Sequence, residues 1–390
     1  MAARASAVSR VPTEIWWMIF DIVTCAPLAF STLYNGDNWA VEALVNFVYQ
    51  GYTKDYCHAE KDRKSIGAVC RAWRKFAEAK RYRYLDLQEF FHNSRVVLPP
   101  PNVIARARSI TTQLAQGSGE RNLAQIKSGV QWEVATVHHV HLRDLATIPH
   151  PQLRRLHTAT TVRDHDNPLL IIKPLADYKL LTWLRLRLDV VPSLLPARRG
   201  HKHSLTLPNL EVLVFSVTTP TIINSFALIL PKLRHYFLHT GTPPTVSFDD
   251  VLSPYRNTLE SIAIKIFTAP LPPFKPEFFP QWADFPKLEE LALDPTCLVE
   301  FRPLPMEHPL RRFYAPKWSL QSLNQWLESV HLQKIRLLGG KWTEEGALVS
   351  SAGRSISKTD MDDIFAKAKA KNILVEVGST WNDSPLLRIS

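Results

Sequence analysis

Only four cysteines occur in the 390 residues (Cys25, Cys57, Cys70 and Cys297), far apart and in no C-x-x-C spacing. That scarcity excludes a disulfide framework and a zinc-ribbon pattern, and it points to a reducing compartment. Long apolar runs are missing as well. Nowhere do 18 consecutive apolar residues occur, so no membrane-spanning helix is expected. The stretch from Ile15 to Phe30 comes nearest, but Asp21 interrupts it and Pro27 breaks it, which suits a soluble amphipathic helix rather than a secretory signal. Catalytic signatures are absent too: there is no Gly-x-Ser-x-Gly elbow, no Gly-rich phosphate loop and no His-Glu-x-x-His. The chain reads as a non-enzyme without a cofactor, located in the cytoplasm, the nucleus or both.

What is present is a 45% hydrophobic, 21% charged chain, the composition of a soluble globular protein with one large or two modest domains. Its formal net charge is +11, and residues 61–83 alone hold nine Lys or Arg against Asp62 and Glu78. Such a run could track phosphates, or it could be the polar side of an amphipathic helix. No recognition motif or interleaved aromatics accompany it, so nucleic acid is not favoured as the partner.

Two N-terminal segments are the most informative. After Val11-Pro12-Thr13-Glu14, apolar residues fall at Ile15, Met18, Ile19, Ile22 and Val23, the i, i+3, i+4, i+7, i+8 spacing of one helix face. Pro12 suits a first turn, where its missing N–H would be unpaired anyway, and Glu14 suits the positive end of the helix dipole. The second segment places Ile66, Val69, Cys70, Trp73, Phe76 and Ala77 along a similar stripe. Val11-Pro-x-Glu and Val69-Cys-x-x-Trp73 together resemble the F-box, a small helical module that docks onto a Skp-type adaptor of cullin–RING ubiquitin ligases. The resemblance covers about 8–85. Val11 replaces the family's leucine, the Val-Cys-x-x-Trp run is matched in full, and residues 34–60 are an insertion in which Asp37 could cap a helix. It implies that Val11, Pro12, Ile15, Ile19, Val69, Cys70 and Trp73 grip the adaptor.

Downstream, a signature of apolar-x-x-apolar-x-apolar recurs. It appears as Val137-Val140-Leu142, Leu153-Leu156-Thr158, Leu181-Leu184-Leu186, Leu210-Leu213-Phe215 and Leu233-Tyr236-Leu238, then as Leu259-Ile262-Ile264, Leu288-Leu291-Leu293, Leu310-Phe313-Ala315 and Leu332-Ile335-Leu337. From Leu153 onward the units start 22 to 29 residues apart, the interval of leucine-rich repeats, in which stacked strands bury a core no single unit could. Several units open on a proline, as in Leu207-Pro208-Asn209-Leu210. The usual asparagine of regular repeats is missing, so the array is degenerate.

The expected architecture is therefore α/β (α+β). A helical F-box-like module at 8–85 is followed by an irregular leucine-rich-repeat solenoid at 86–377 and a tail at 378–390. A first strand is expected at Tyr84–Leu87, a helix at Asn102–Ile110 and a loop at 116–122. A mobile loop is expected at Gly339–Ile356, and a covering helix at Lys358–Lys371 with a strand at Ile373–Val377. The cluster His138-His139-Val140-His141 is the most metal-like, but no neighbouring carboxylate or cysteine completes it, and surface histidines are the simpler reading. Strand alternation points His141, His157, Arg185, Val214, Phe237, Ala263, Ala292, Tyr314 and Arg336 away from the repeat core, with Arg187 beside them. Of these, Arg185, Arg187, Val214, Phe237, Tyr314 and Arg336 are the candidate substrate-binding residues. The aromatics suit a hot spot and the arginines an acidic or phosphorylated segment. The resulting expectation is a non-catalytic substrate-recognition subunit of an SCF-type ligase, partnered by a Skp-type adaptor, cullin and a target protein. The alternative is a leucine-rich-repeat scaffold or a basic nucleic-acid-binding protein without a ligase role.

Overall fold

The computed structural model describes residues 11–24, 51–79, 84–86, 91–92, 95–96, 107, 109–113, 134–138, 152–163, 173–191, 203–217, 226–240, 247–266, 279–294, 304–315, 318–349, 353, 355–378 and 387–389. Among them is a 13-stranded sheet whose strand order follows the chain. Its strands are β1 (Tyr84–Asp86), β2 (Ser109–Gln113), β3 (Val134–His138), β4 (Arg155–Arg163), β5 (Trp183–Val191), β6 (Val212–Val217) and β7 (His235–Thr240). The sheet continues as β8 (Ser261–Ile266), β9 (Glu290–Leu293), β10 (Arg312–Ala315), β11 (Lys334–Leu338), β12 (Leu374–Gly378) and β13 (Leu387–Ile389). Neighbours pair in parallel from β1 to β12, and β13 pairs antiparallel with β12. The chain is α/β with a mainly parallel central sheet.

The repeat signature sets the register. Its first member sits just before a strand and its second and third lie within it, all turned to one side. Leu153, Leu210, Leu233, Leu259 and Leu288 are buried, as are Leu156, Leu213, Ile262, Leu291 and Ile335 one row on, and they belong to one apolar cluster. A second device recurs at the strand entrances, where one carbonyl accepts two N–H groups from the following unit. Arg154 O takes Thr182 N and Trp183 N at 2.9 and 3.1 Å, Thr182 O takes Glu211 N and Val212 N at 2.8 and 3.0 Å, and Glu211, Arg234, Glu260, Glu289 and Arg311 repeat the pattern. The proline lead-ins are tight turns. Leu210 N donates to Leu207 O at 3.3 Å, Leu233 N to Leu230 O at 3.1 Å and Leu288 N to Phe285 O at 3.1 Å, each with proline at the second position, where its fixed φ fits.

Six helices are described: α1 (Thr13–Val23), α2 (Gly51–Val69), α3 (Arg71–Ala79), α4 (Phe248–Leu252), α5 (Leu320–Trp326) and α6 (Lys358–Ala370). Helix α6 is capped by Ser357, whose hydroxyl accepts from Asp360 N, and it buries Met361, Ile364, Phe365 and Ala368 as its spacing foretells.

Several expectations need correction. Residues 109 and 110, assigned to a helix, are strand: Ser109 and Ile110 pair with Tyr84 and Leu85, where the first strand is expected. The unit Val137-Val140-Leu142 is out of register, because Ala135 and not Val140 stands opposite Leu156. The segment from Gly339 to Ile356 holds a small antiparallel sheet of Lys341–Trp342, Leu348–Val349 and Ser355–Ile356. Its glycines and serines suggested mobility, but Leu348 and Ile356 anchor it in the core. The stripe through Ile66 and Phe76 runs over two helices, not one, because the chain leaves helical geometry at Cys70. The insertion at 34–60 is helical from Gly51 onward. Asp37 and the loop at 116–122 lie outside the described residues.

Gly340 shows how tightly the C-terminal end is packed. A Cβ there would stand 2.8 Å from Val377 Cγ1 and 3.2 Å from Leu348 Cδ1. Gly340→Ala is expected to destabilise the protein by about 1–3 kcal/mol through overpacking, read as a lower denaturation midpoint at unchanged slope.

Candidate functional site

Two surfaces collect the candidate residues. The first is the N-terminal helical corner. Pro12 precedes α1 as its N-cap, and its carbonyl accepts from Ile15 N at 3.1 Å and Trp16 N at 3.3 Å. The side of α1 turned to the rest of the chain is Trp16, Phe20 and Thr24, at i, i+4 and i+8. Phe20 is buried with Ile66, Phe76 and Ala77, and Trp16 and Trp73 pack on that cluster. The ring centroid of Trp73 lies 4.6 Å from that of Phe20 and 5.0 Å from that of Trp16.

The stripe legible in the sequence is thus the other side of the helix. Ile15, Met18, Ile19, Ile22 and Val23 all face solvent, Met18 at 61% and Ile22 at 71% exposure. A helix whose apolar face is left uncovered while aromatics bind it from behind carries an unfilled surface. Val69, 60% exposed, and the exposed thiol of Cys70 stand at the turn between α2 and α3. There Cys70 Sγ accepts from Trp73 N at 3.5 Å, capping α3, and Cys70 O accepts from Arg74 N at 2.9 Å. Of the seven expected adaptor contacts, Pro12, Ile15, Ile19, Val69 and Cys70 are exposed and Val11 is half-exposed. Trp73 is half-buried and packs inward. Met18 and Ile22 share the open stripe and were legible from the same spacing. The basic run is also less uniform than its composition: Arg63 is buried, pairs with Glu60 and donates to Ala77 O, tying α2 to α3.

The second surface is the face of the sheet opposite the leucine rows. Here strand alternation holds, because register aligns His157, Arg185, Val214, Phe237, Ala263, Ala292, Tyr314, Arg336 and Glu376 as one continuous row. His141 lies outside the described residues. The expected exposure holds at Arg187 and in part at Arg185, but not along the rest of the row. Val214, Phe237, Ala292 and Tyr314 are at most 1% exposed, and Arg336 is 4% exposed. Period-2 alternation assigns a residue to a face but cannot say whether that face meets water. The runs Val212–Val217 (VLVFSV), Ser261–Ile266 (SIAIKI) and Glu290–Leu293 (ELAL) carried the missing signal, since near-continuous apolar strands belong to parallel sheets buried on both sides. Phe237 and Tyr314 are therefore not exposed hot-spot aromatics.

Polar groups on this second face come in clusters. Arg155 Nε donates to His157 Nε2 at 3.3 Å, and both lie over the Trp183 ring. Lys334 Nζ is 2.8 Å and Arg336 Nη1 3.9 Å from Glu376 Oε2, all three buried. A third cluster lies two residues past the main row, where register aligns Arg187, Ser216, His239 and Lys265. Burial first, then Lys265, Arg185 and Arg187, hold the His239 imidazolium down to a pKa of about 3. Among the described residues no group of three or more His, Cys, Asp or Glu is placed to hold a metal ion, and no helix is long and apolar enough to cross a membrane.

No protein-family model matches the chain, and no curated protein matches it significantly.

Because His239 stays neutral when folded but takes up a proton near pH 6.5 when unfolded, it leaves stability intact above that pH and erodes it as pH falls toward about 3. Its expected contribution is a loss of about 2 kcal/mol between pH 6.5 and 5. His239→Gln should flatten that part of the pH dependence of the denaturation midpoint.

Proposed function

We propose that this chain is a non-catalytic substrate-recognition subunit of an SCF-type cullin–RING ubiquitin ligase, of the F-box and leucine-rich-repeat kind. One observation carries the reading: a helix introduced by Val11-Pro12-x-Glu14 keeps Ile15, Met18, Ile19 and Ile22 open to solvent while its other side packs on Trp73 and Phe76. An apolar stripe of that kind, with Val69 and Cys70 exposed at the adjoining turn, suits a Skp-type adaptor as partner. The sheet supports the second half of the reading. Strands in chain order, spaced 22 to 29 residues apart from Leu153 onward and backed by a leucine core, are what a solenoid of irregular leucine-rich repeats would give. Such an array would hold the target while the adaptor and cullin bring the ubiquitin-charged enzyme, and catalysis by the complex would be a matter of proximity. The complex would work in the cytoplasm, the nucleus or both.

The packing changes which substitutions test this. Trp73→Ala removes a wall of the internal aromatic cluster and confounds folding with binding. Ile19→Glu combined with Ile22→Glu charges the open stripe and leaves Phe20, Ile66 and Phe76 in place. The double variant is expected to lose co-purification of a Skp-type subunit and cullin by tenfold or more, with an unchanged melting temperature. An undiminished complex, or a wild-type purification without a Skp-type subunit, would leave the leucine-rich scaffold as the better reading.

A further inference from the structure

We propose that α1 exchanges between a docked and an undocked state in the free chain, and that capture of the adaptor is coupled to its docking through Phe20. The coupling rests on the adaptor reading above; the loose hold on α1 does not.

The helix has little to hold it together alone. Isolated helices shorter than about 12–15 residues are marginal in water, and α1 has 11. Seven of those are Ile, Val, Trp or Phe, side chains that lose rotamer freedom against the preceding turn. Pro12 supplies no side-chain capping bond, and the last turn holds no basic residue to meet the helix dipole.

Packing adds one anchor. Phe20 is the one buried residue of α1, its ring centroid 4.6 Å from that of Trp73 and 5.2 Å from that of Phe76. Trp16 and Trp17 add looser contacts to the same two rings, at 5.0 and 6.2 Å. Ile15, Trp17, Met18, Ile19, Ile22 and Val23 stay 40% or more exposed. The cluster that receives Phe20, with Ile66, Phe76 and Ala77, is separate from the leucine core of the sheet, so α1 can leave without opening the strands. Helix α6 is the contrast. It buries four side chains in that core and carries a serine cap, and Lys367 and Lys371 tie its end to Asn324 Oδ1 and Leu327 O at 2.8 Å each.

The two sides of α1 therefore act on one equilibrium. A partner that grips Ile15, Ile19 and Ile22 needs them aligned on a formed helix, and the helix is held in place when Phe20 sits against Trp73 and Phe76. Only the docked helix shares a corner with Val69 and Cys70 at the head of α3. Apparent affinity is then the intrinsic affinity scaled by the docked fraction. Phe20, at 4% exposure, is a positioning residue that sets affinity for a partner it does not touch.

The test is amide hydrogen exchange read by mass spectrometry on the full chain, alone and with an excess of a purified Skp-type adaptor. In the free chain the amides of residues 17–24 are expected to exchange about a hundredfold or more faster than those of β6 to β9. The adaptor is expected to slow them about tenfold or more and to leave the strands unchanged. Phe20→Ala should weaken adaptor binding about tenfold or more, by lowering the docked fraction. Phe20→Leu should restore most of that loss, and neither variant should shift the melting temperature of the sheet. The coupling fails if α1 in the free chain is as protected as the strands, or if Phe20→Ala binds the adaptor as tightly as the parent protein. A parent chain that forms no adaptor complex overturns the adaptor reading and the coupling with it, an outcome distinct from a complex that forms and ignores Phe20.

Discussion

The in-register parallel pairing of consecutive strands is the constraint from which the described fold follows. Each strand alone offers a few apolar side chains and a row of unmet backbone donors. Stacked in chain order, the same strands align Leu156, Leu184, Leu213, Tyr236, Ile262, Leu291, Phe313, Ile335 and Val375 into one buried ridge. The doubled acceptance at the entrances of β5 to β11 keeps one unit from sliding against the next. Around it runs a charged rim, in which Arg234 meets Glu260 through two bonds of 2.8 and 2.7 Å. Exposed pairs of this kind contribute little stability, so the ridge and the backbone ladder carry the fold.

Much of this was legible in the sequence. The spacing Leu-x-x-Leu-x-Leu, read nine times, located eight strand entrances, and the amphipathic spacing of 358–371 located α6. What failed did so for physical reasons. The unit at Val137 slipped because β3 carries the small residue Ala135 where the pattern demands bulk. The strand at 109 was missed because Ser109–Gln113, with Ile110 as its one large apolar residue, shows no period that separates a strand from a helix end. The Gly- and Ser-rich segment after Gly339 looked loose because composition says nothing of anchors such as Leu348.

The candidate surfaces were half legible. The stripe on α1 was found residue by residue, yet apolar periodicity ordinarily means a buried face, and only coordinates separate a stripe that packs from one that waits. In the event Trp16 and Phe20, off that stripe, do the packing. On the sheet the reverse occurred: residues assigned to an outward face were placed on the correct side, but from Val214 to Arg336 that face is closed. The polar row two positions further on, with Ser216, His239 and Lys265, was overlooked because attention stopped at the last apolar position of each unit. Counting one more strand step would have placed those residues beside Arg187.

The shared carbonyls at the strand entrances bear on how such a chain can change over time. A whole unit, strand plus return, can be duplicated or dropped and the flanking strands still meet with matching hydrogen-bond partners. A single residue inserted within a strand turns leucines toward the wrong side from that point on. Relatives of this protein should therefore differ in length by complete turns or within the returns, with the interiors of the strands held to a fixed count.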